Sequence, residues 1–138
     1  MRVFLDANIL FSAAKSDGAV RQLLKLLERC GHRCCVNAYV VEEARRNLAL
    51  KAPERLSALA QLLSRMAMAA ATPGGDDRML ETSLRLPAKD RPVLEAAIAL
   101  GCDALLTGDR THFGALYGRT IQGVTIHSPR SLAEGLLT

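Results

Sequence analysis

Two short apolar runs far apart in the chain each end on an acid. Val3-Phe-Leu5 runs into Asp6-Ala-Asn8, and Ala104-Leu-Leu-Thr107 runs through Gly108 to Asp109. Apolar runs this short, bounded by turn residues, read as strands buried on both faces, the pattern of a parallel sheet. A strand that stops on Asp delivers a carboxylate to the sheet edge where open α/β folds hold their ligands.

The intervening chain alternates accordingly. Asp17 is a candidate N-cap for a helix carrying Val20, Leu23, Leu24 and Leu27, with Gly31 as its stop. Arg33 to Val36 reads as a second strand, and Asn37 caps a helix running to about Lys51. Pro53 permits a new helix striped by Leu56, Leu59, Leu62, Leu63 and Met66. Thr72 to Asp77 is a loop, with a helix expected from there through Leu84. Asp90 leads into a helix over 91–100 closed by Gly101, Val124 to His127 forms a further strand, and Ser128-Pro129 opens a C-terminal helix. Strands alternating with helices predict right-handed crossovers. The expected fold is α/β, a three-layer α/β/α sandwich around a central parallel sheet of four to five strands. At 138 residues it reads as one domain, 1–138.

Composition narrows the function. The chain is 49% apolar and 23% charged, which is globular, and its net charge of +4 suits a polyanionic partner. Three Phe, two Tyr and no Trp leave an aliphatic core and few platforms for stacking bases. Cys30, Cys34, Cys35 and Cys102 show no CxxC spacing, so zinc is not expected, and all four read as small buried hydrophobes of a reducing compartment. The opening Met1 to Asp6 is too short and too soon acidic for a signal peptide, and no apolar run is long enough to span a membrane, so the expected location is cytoplasmic.

Four acids are candidates for one site. Asp6 either caps the next helix as an Asx turn or serves as a ligand, with Asn8 beside it. In Val40-Val-Glu-Glu-Ala-Arg-Arg-Asn-Leu48, the apolar stripe of Val40, Val41, Ala44 and Leu48 puts Glu43 nearer its edge than Glu42. Glu43 is therefore the candidate and Glu42 the solvated neighbour. Asp90, before Arg91-Pro92, is equally an N-cap or a carboxylate facing the crevice. Asp109 follows Thr107-Gly108, where the hydroxyl can hold a carboxylate. His32, His112 and His127 read as unrelated surface or loop residues. Four carboxylates meeting at one sheet end require a cation among them, and oxygen-only ligands select Mg²⁺ or Mn²⁺.

These residues resemble the PIN domain family of Mg²⁺-dependent ribonucleases, which includes VapC toxins of type II toxin–antitoxin pairs. The resemblance rests on Leu5-Asp6-Ala-Asn8, on Val41 to Leu48, and above all on the stretch from Asp90-Arg-Pro-Val-Leu to Leu106-Thr-Gly-Asp109, followed by Phe113. It implies a catalytic, metal-holding quartet of Asp6, Glu43, Asp90 and Asp109, with Asp6 and Asp90 binding the first ion most directly. Asn8 and Thr107 match the supporting positions. Asn37 stands where many relatives carry Ser, and either residue caps a helix. The implied activity is an endoribonuclease acting on RNA, the toxin of a pair with a cognate antitoxin and a homodimer. The alternative is a catalytically silent PIN-like module that binds RNA or protein. RNA is expected to approach over Arg45, Arg46, Arg91 and Arg110.

Overall fold

The computed structural model describes residues 1–69 and 90–137. The expected loop at Thr72 to Asp77 and the helix through Leu84 lie outside the described residues. Strand β1 (Arg2–Leu5) is followed by helices α1 (Ala7–Lys15) and α2 (Ala19–Arg29), strand β2 (Arg33–Val36) and helix α3 (Ala38–Lys51). A 3₁₀ turn (Pro53–Arg55) leads into α4 (Leu56–Leu63) and the two-residue strand β3 (Ala67–Met68). The second half holds α5 (Arg91–Ala99), β4 (Ala104–Leu106), α6 (Arg110–Phe113), β5 (Thr120–Ile121), β6 (Val124–His127) and α7 (Pro129–Leu137).

The sheet order is β3-β2-β1-β4-β6-β5. The first five strands in that order run parallel, and β5 closes the edge antiparallel to β6. The expected α/β architecture with a central parallel sheet is therefore present, extended by one short antiparallel edge strand. From β1 the chain winds outward through β2 and β3, then returns to the other side of β1 as β4. This reversal makes β1 and β4 the switch point, where strand ends leave a crevice. Leu5 pairs with Leu106 there, so the residues that follow the two strands emerge side by side.

Both sheet faces are covered by aliphatic side chains. Val3, Phe4, Leu5, Leu105, Leu106 and Ile126 are fully buried in the strands, with Ile9, Leu10, Leu27, Leu48 and Leu94 from the helices. Each contributes about 1.5–3 kcal/mol of burial, and Phe4 and Phe113 supply the only large aromatic bodies in the core.

Local differences from the sequence pattern have identifiable causes. Helix α1 enters the sequence reading only as the helix an Asx turn at Asp6 would cap, with no extent. Its buried stripe of Ala7, Ile9, Leu10, Ala13 and Ala14 is mostly alanine, so the periodic signal is weak although the helix packs well. Helix α2 starts from Gly18 rather than Asp17; the Asp17 carboxylate instead accepts from Gln22 Nε2 at 2.7 Å. Asn37 does cap α3, its Oδ1 accepting from the Val40 N–H at 3.1 Å. Helix α4 ends at Leu63, leaving Met66 to pack on the core from beyond it. Of the cysteines, Cys30 is exposed, against expectation, because it ends α2 on the solvent side. Burial pushes the Cys34 thiol up to about 12 and the Cys102 thiol to about 11, which makes both inert. Among the described residues, no helix is long and apolar enough to cross a membrane.

Candidate metal centre at the sheet switch point

Asp6 stands directly after β1, its N–H donating to Leu106 O at 3.0 Å. One step further along β4, Thr107 is fully buried and donates its N–H to His127 O at 3.1 Å. The two side chains meet: the Thr107 hydroxyl donates to Asp6 Oδ2 at 2.8 Å. Asp6 Oδ1 accepts from the Ala7 N–H at 2.7 Å, the capping bond of α1. Asp6 is thus a cap and a crevice carboxylate together, using one oxygen for the helix and the other toward Thr107.

Asn8 ties the two strand ends from the other direction. Its Oδ1 accepts from the Gly108 N–H at 2.8 Å, and its Nδ2 lies 3.3 Å from Asp6 Oδ2. The Thr107 oxygen also accepts from the Asp109 N–H at 3.2 Å. A hydroxyl offers one donor and two acceptor sites, so Thr107 is close to saturated and its rotamer is set by the network.

The second half of the site is built around His112. Asp109 caps the one-turn helix α6 through Oδ1, which accepts from the His112 N–H at 3.1 Å. The His112 Nδ1 atom lies 2.7 Å from Asp109 Oδ2 and 2.8 Å from Asp90 Oδ2. Neither approach is aligned as an ordinary hydrogen bond, so the contact is one of close approach. Asp90 occupies the N-cap position of α5 but makes no side-chain capping bond. Of the two readings open for it in sequence, its side chain takes the crevice one.

Asp6, Glu43, Asp90 and Asp109 line one cavity of about 240 Å³, together with Ala7, Asn8, Phe11, Asn47 and Lys51. Glu43 reaches it from α3, half-buried at the edge of the stripe. Glu42 is exposed and pairs with Arg45 at 2.9 Å. None of Arg45, Arg46, Arg91 and Arg110 lines this cavity; among the described residues its cation is Lys51. A larger cavity of about 590 Å³ lies between α2, β2 and α4, lined by Arg21, Lys25, Cys34 and Arg65 among others, and holds none of the four acids. Size does not mark the site here, because the chemistry lies at the strand ends.

Electrostatics in the smaller cavity favour a cation. Burial pushes the Asp6 carboxyl above its ordinary range; the Thr107 and Ala7 donors pull it down, and the charges of Glu43 and Asp109 push it up again. One ligand atom each from Asp90, Asp109 and His112 lies within 4.8 Å of the others, a spacing a single ion can bridge. Carboxylate oxygens crowded on a partly desolvated floor fit a hard divalent ion.

His112, Phe11, Asn47 and Lys51 were missed by sequence reasoning. His112 carried one usable signal: it falls three residues after Asp109, the spacing at which side chains meet across a helical turn. Phe11 could be placed only with α1 recognised, and Asn47 and Lys51 lie four and eight residues after Glu43 on the same helix face.

No match was found among curated proteins. Among solved structures, a chain of the VapBC2 complex from Rickettsia felis, crystallised with a DNA fragment from their promoter, superposes with a TM-score of 0.69. That similarity covers 93% of this chain and 98% of the other at 18% identity, and so speaks to the fold. The sequence model described as PIN domain matches residues 2–111, which span β1, the four acids and α6 up to Thr111. The chain belongs to the PIN domain family.

Proposed function

We propose that this protein is a Mg²⁺- or Mn²⁺-dependent endoribonuclease acting through Asp6, Glu43, Asp90 and Asp109. The observation that carries this reading is the lining of one 240 Å³ cavity by all four acids at the β1–β4 switch point. Such a cluster is costly to fold unless a cation occupies it, and an acidic pocket on a chain of net charge +4 suits a phosphodiester polymer.

A bound divalent ion would supply the charge that neutralises phosphate oxygens and makes water a competent nucleophile at neutral pH. Asp90 and Asp109 would hold it, in place of the Asp6 and Asp90 pair expected from sequence, because their oxygens are already gathered about His112. Asp6, fixed by Thr107 and the Ala7 N–H, would offer an oxygen whose position no rotamer change disturbs. Glu43 approaches from a different element and would orient the attacking water or a further ion. Asn8 keeps the β1 and β4 ends in register through Gly108.

The likeness to a VapBC2 chain supports a further reading, that the chain is the toxin of a pair whose antitoxin covers the crevice. Co-purification with the product of a neighbouring reading frame tests that part separately. The nuclease reading is tested with purified protein and end-labelled single-stranded RNA. Cleavage with Mg²⁺ or Mn²⁺, its loss in EDTA, and 5′-phosphate ends are expected. RNA that survives intact with both metals overturns the reading.

A further inference from the structure

The cavity continues past its acids into a feature that metal binding does not use. Two helices face each other across it. Glu43, Asn47 and Lys51 follow one another at four-residue intervals along α3, and Phe11 faces them from α1. Lys15, one turn beyond Phe11, and Lys51 both converge on the Phe11 ring, 5.6 and 5.5 Å from its centroid. Both lysines are exposed, and among the described residues neither ammonium pairs with a carboxylate.

This is an unusual use of scarce residues. The chain has five aromatic side chains; Phe4 and Phe113 are fully buried in the core, whereas Phe11 is partly open to the cavity. Phe11 packs against the core on one side and lines the cavity with the other, and the lysines above it stay in water. Two like charges gathered from different helices onto one ring repel each other, and cation–π attraction at an exposed site is small. A ligand with a phosphate for the ammonium groups and a flat ring for the phenyl would offset that repulsion and cover the open face of the ring.

We propose that Phe11, Lys15 and Lys51 form a nucleotide subsite for single-stranded RNA, next to the carboxylate cluster. The base of a nucleotide flanking the scissile phosphate stacks on Phe11, and its phosphate is held by the two ammonium groups. Lys51 lies eight residues beyond Glu43, about 12 Å along the helix axis, so a strand with one phosphate at the acids passes Phe11 with a nearby nucleotide. Asn47, between them, offers an amide for the connecting ribose-phosphate. Tyr39 extends the same ridge on the other side of Glu43. It is 42% exposed. A duplex would not present an unstacked base to either ring, so the substrate is single-stranded at this point.

The inference rests on the nuclease reading for its choice of ligand, but its test needs no cleavage. Binding of a fluorescein-labelled octauridylate is followed by anisotropy in EDTA, alongside an abasic ribose-phosphate oligomer of the same length. Phe11→Leu, which keeps the apolar contact with the helix pair, should weaken octauridylate binding about 5- to 50-fold and leave the abasic oligomer unaffected. Lys15→Gln and Lys51→Gln should each weaken both probes and lower the salt dependence by about 0.7 in log–log slope. These lysines are exposed, so their variants test the phosphate half even where Phe11→Leu proves unstable. Unchanged affinities and slopes in all three variants, with wild-type protein that binds and cuts RNA, overturn the subsite and leave the nuclease reading standing. Ring- and lysine-dependent binding without any cleavage does the reverse. Equal loss of the abasic probe in Phe11→Leu also overturns stacking.

Discussion

Thr107 and Asp6, 101 residues apart in sequence, meet at 2.8 Å because their strands are neighbours and both side chains follow the last paired residues. The hydroxyl is the donor, so it favours the charged carboxylate at a place where burial disfavours it. Replacing Thr107 with Val keeps the shape and removes the donor. Urea unfolding in EDTA at neutral pH should show a loss of about 1–3 kcal/mol, the range for stranding a buried polar partner. A change under about 0.5 kcal/mol would mean that the Ala7 N–H and the Asn8 amide suffice to hold the Asp6 carboxylate.

Asp6→Asn separates the structural from the chemical role of this carboxyl. The amide oxygen can still cap α1, so the fold should persist, while its NH₂ meets a hydroxyl placed to donate. The pH dependence carries the sign. The folded-state pKa of Asp6 is raised, so its proton stabilises the native state, fully so below the ordinary value of 3.8. That contribution is lost as pH rises through the folded-state pKa. Asn cannot ionise, so the stability of the variant relative to wild type, measured without metal, should climb with pH and then level off. A flat difference from pH 3 to 8 refutes the burial argument. Cleavage, in contrast, should fall by at least about 100-fold at every pH.

The strand ends were readable because Asp6 and Asp109 close runs of three or four apolar residues, a pattern that side-chain alternation cannot imitate. Helix α3 was readable for a different reason: Val40, Val41, Ala44 and Leu48 leave no doubt about its inner face, which places Glu43 on the edge. Other parts left little trace. Helix α6 is four residues long, too short for any periodicity, so nothing in sequence brought His112 to Asp90 across 22 positions. Strand β3 is two residues long and exists because β2 offers it a partner. Without α1, whose first residue follows an Asp that was weighed as a ligand, Phe11 had no helix to sit on and Lys51 no reason to matter.

The adjacent pair Glu42 and Glu43 offers an internal control within one helix. Glu42 pairs with Arg45 in solvent, an arrangement worth at most about 1 kcal/mol. Glu43 lines the cavity. Glu42→Gln should therefore cut RNA within about twofold of wild type, and Glu43→Gln should lose about 100-fold or more under identical metal concentrations. The reverse order would shift the register of α3 relative to the site by one residue and disqualify the quartet.

His112 provides the last test, because its Nδ1 touches Asp109 and Asp90 at the distance where the two carboxylates would otherwise face each other. The imidazole stands between the two carboxylates and so holds apart the groups assigned to the ion. On the nuclease reading it would compete with the ion for these oxygens, unless it serves as a ligand itself. Removing it with His112→Ala should lower the melting temperature of metal-free protein by a few degrees, since the two acids then repel without a bridge. The gain in melting temperature on adding Mg²⁺ should be larger than in wild type, because the ion no longer displaces a side chain. Isothermal titration with Mn²⁺ should show the same ordering of affinities. If the variant instead melts like wild type and gains less from the ion, the imidazole is a ligand in its own right rather than an occupant of the place the ion takes.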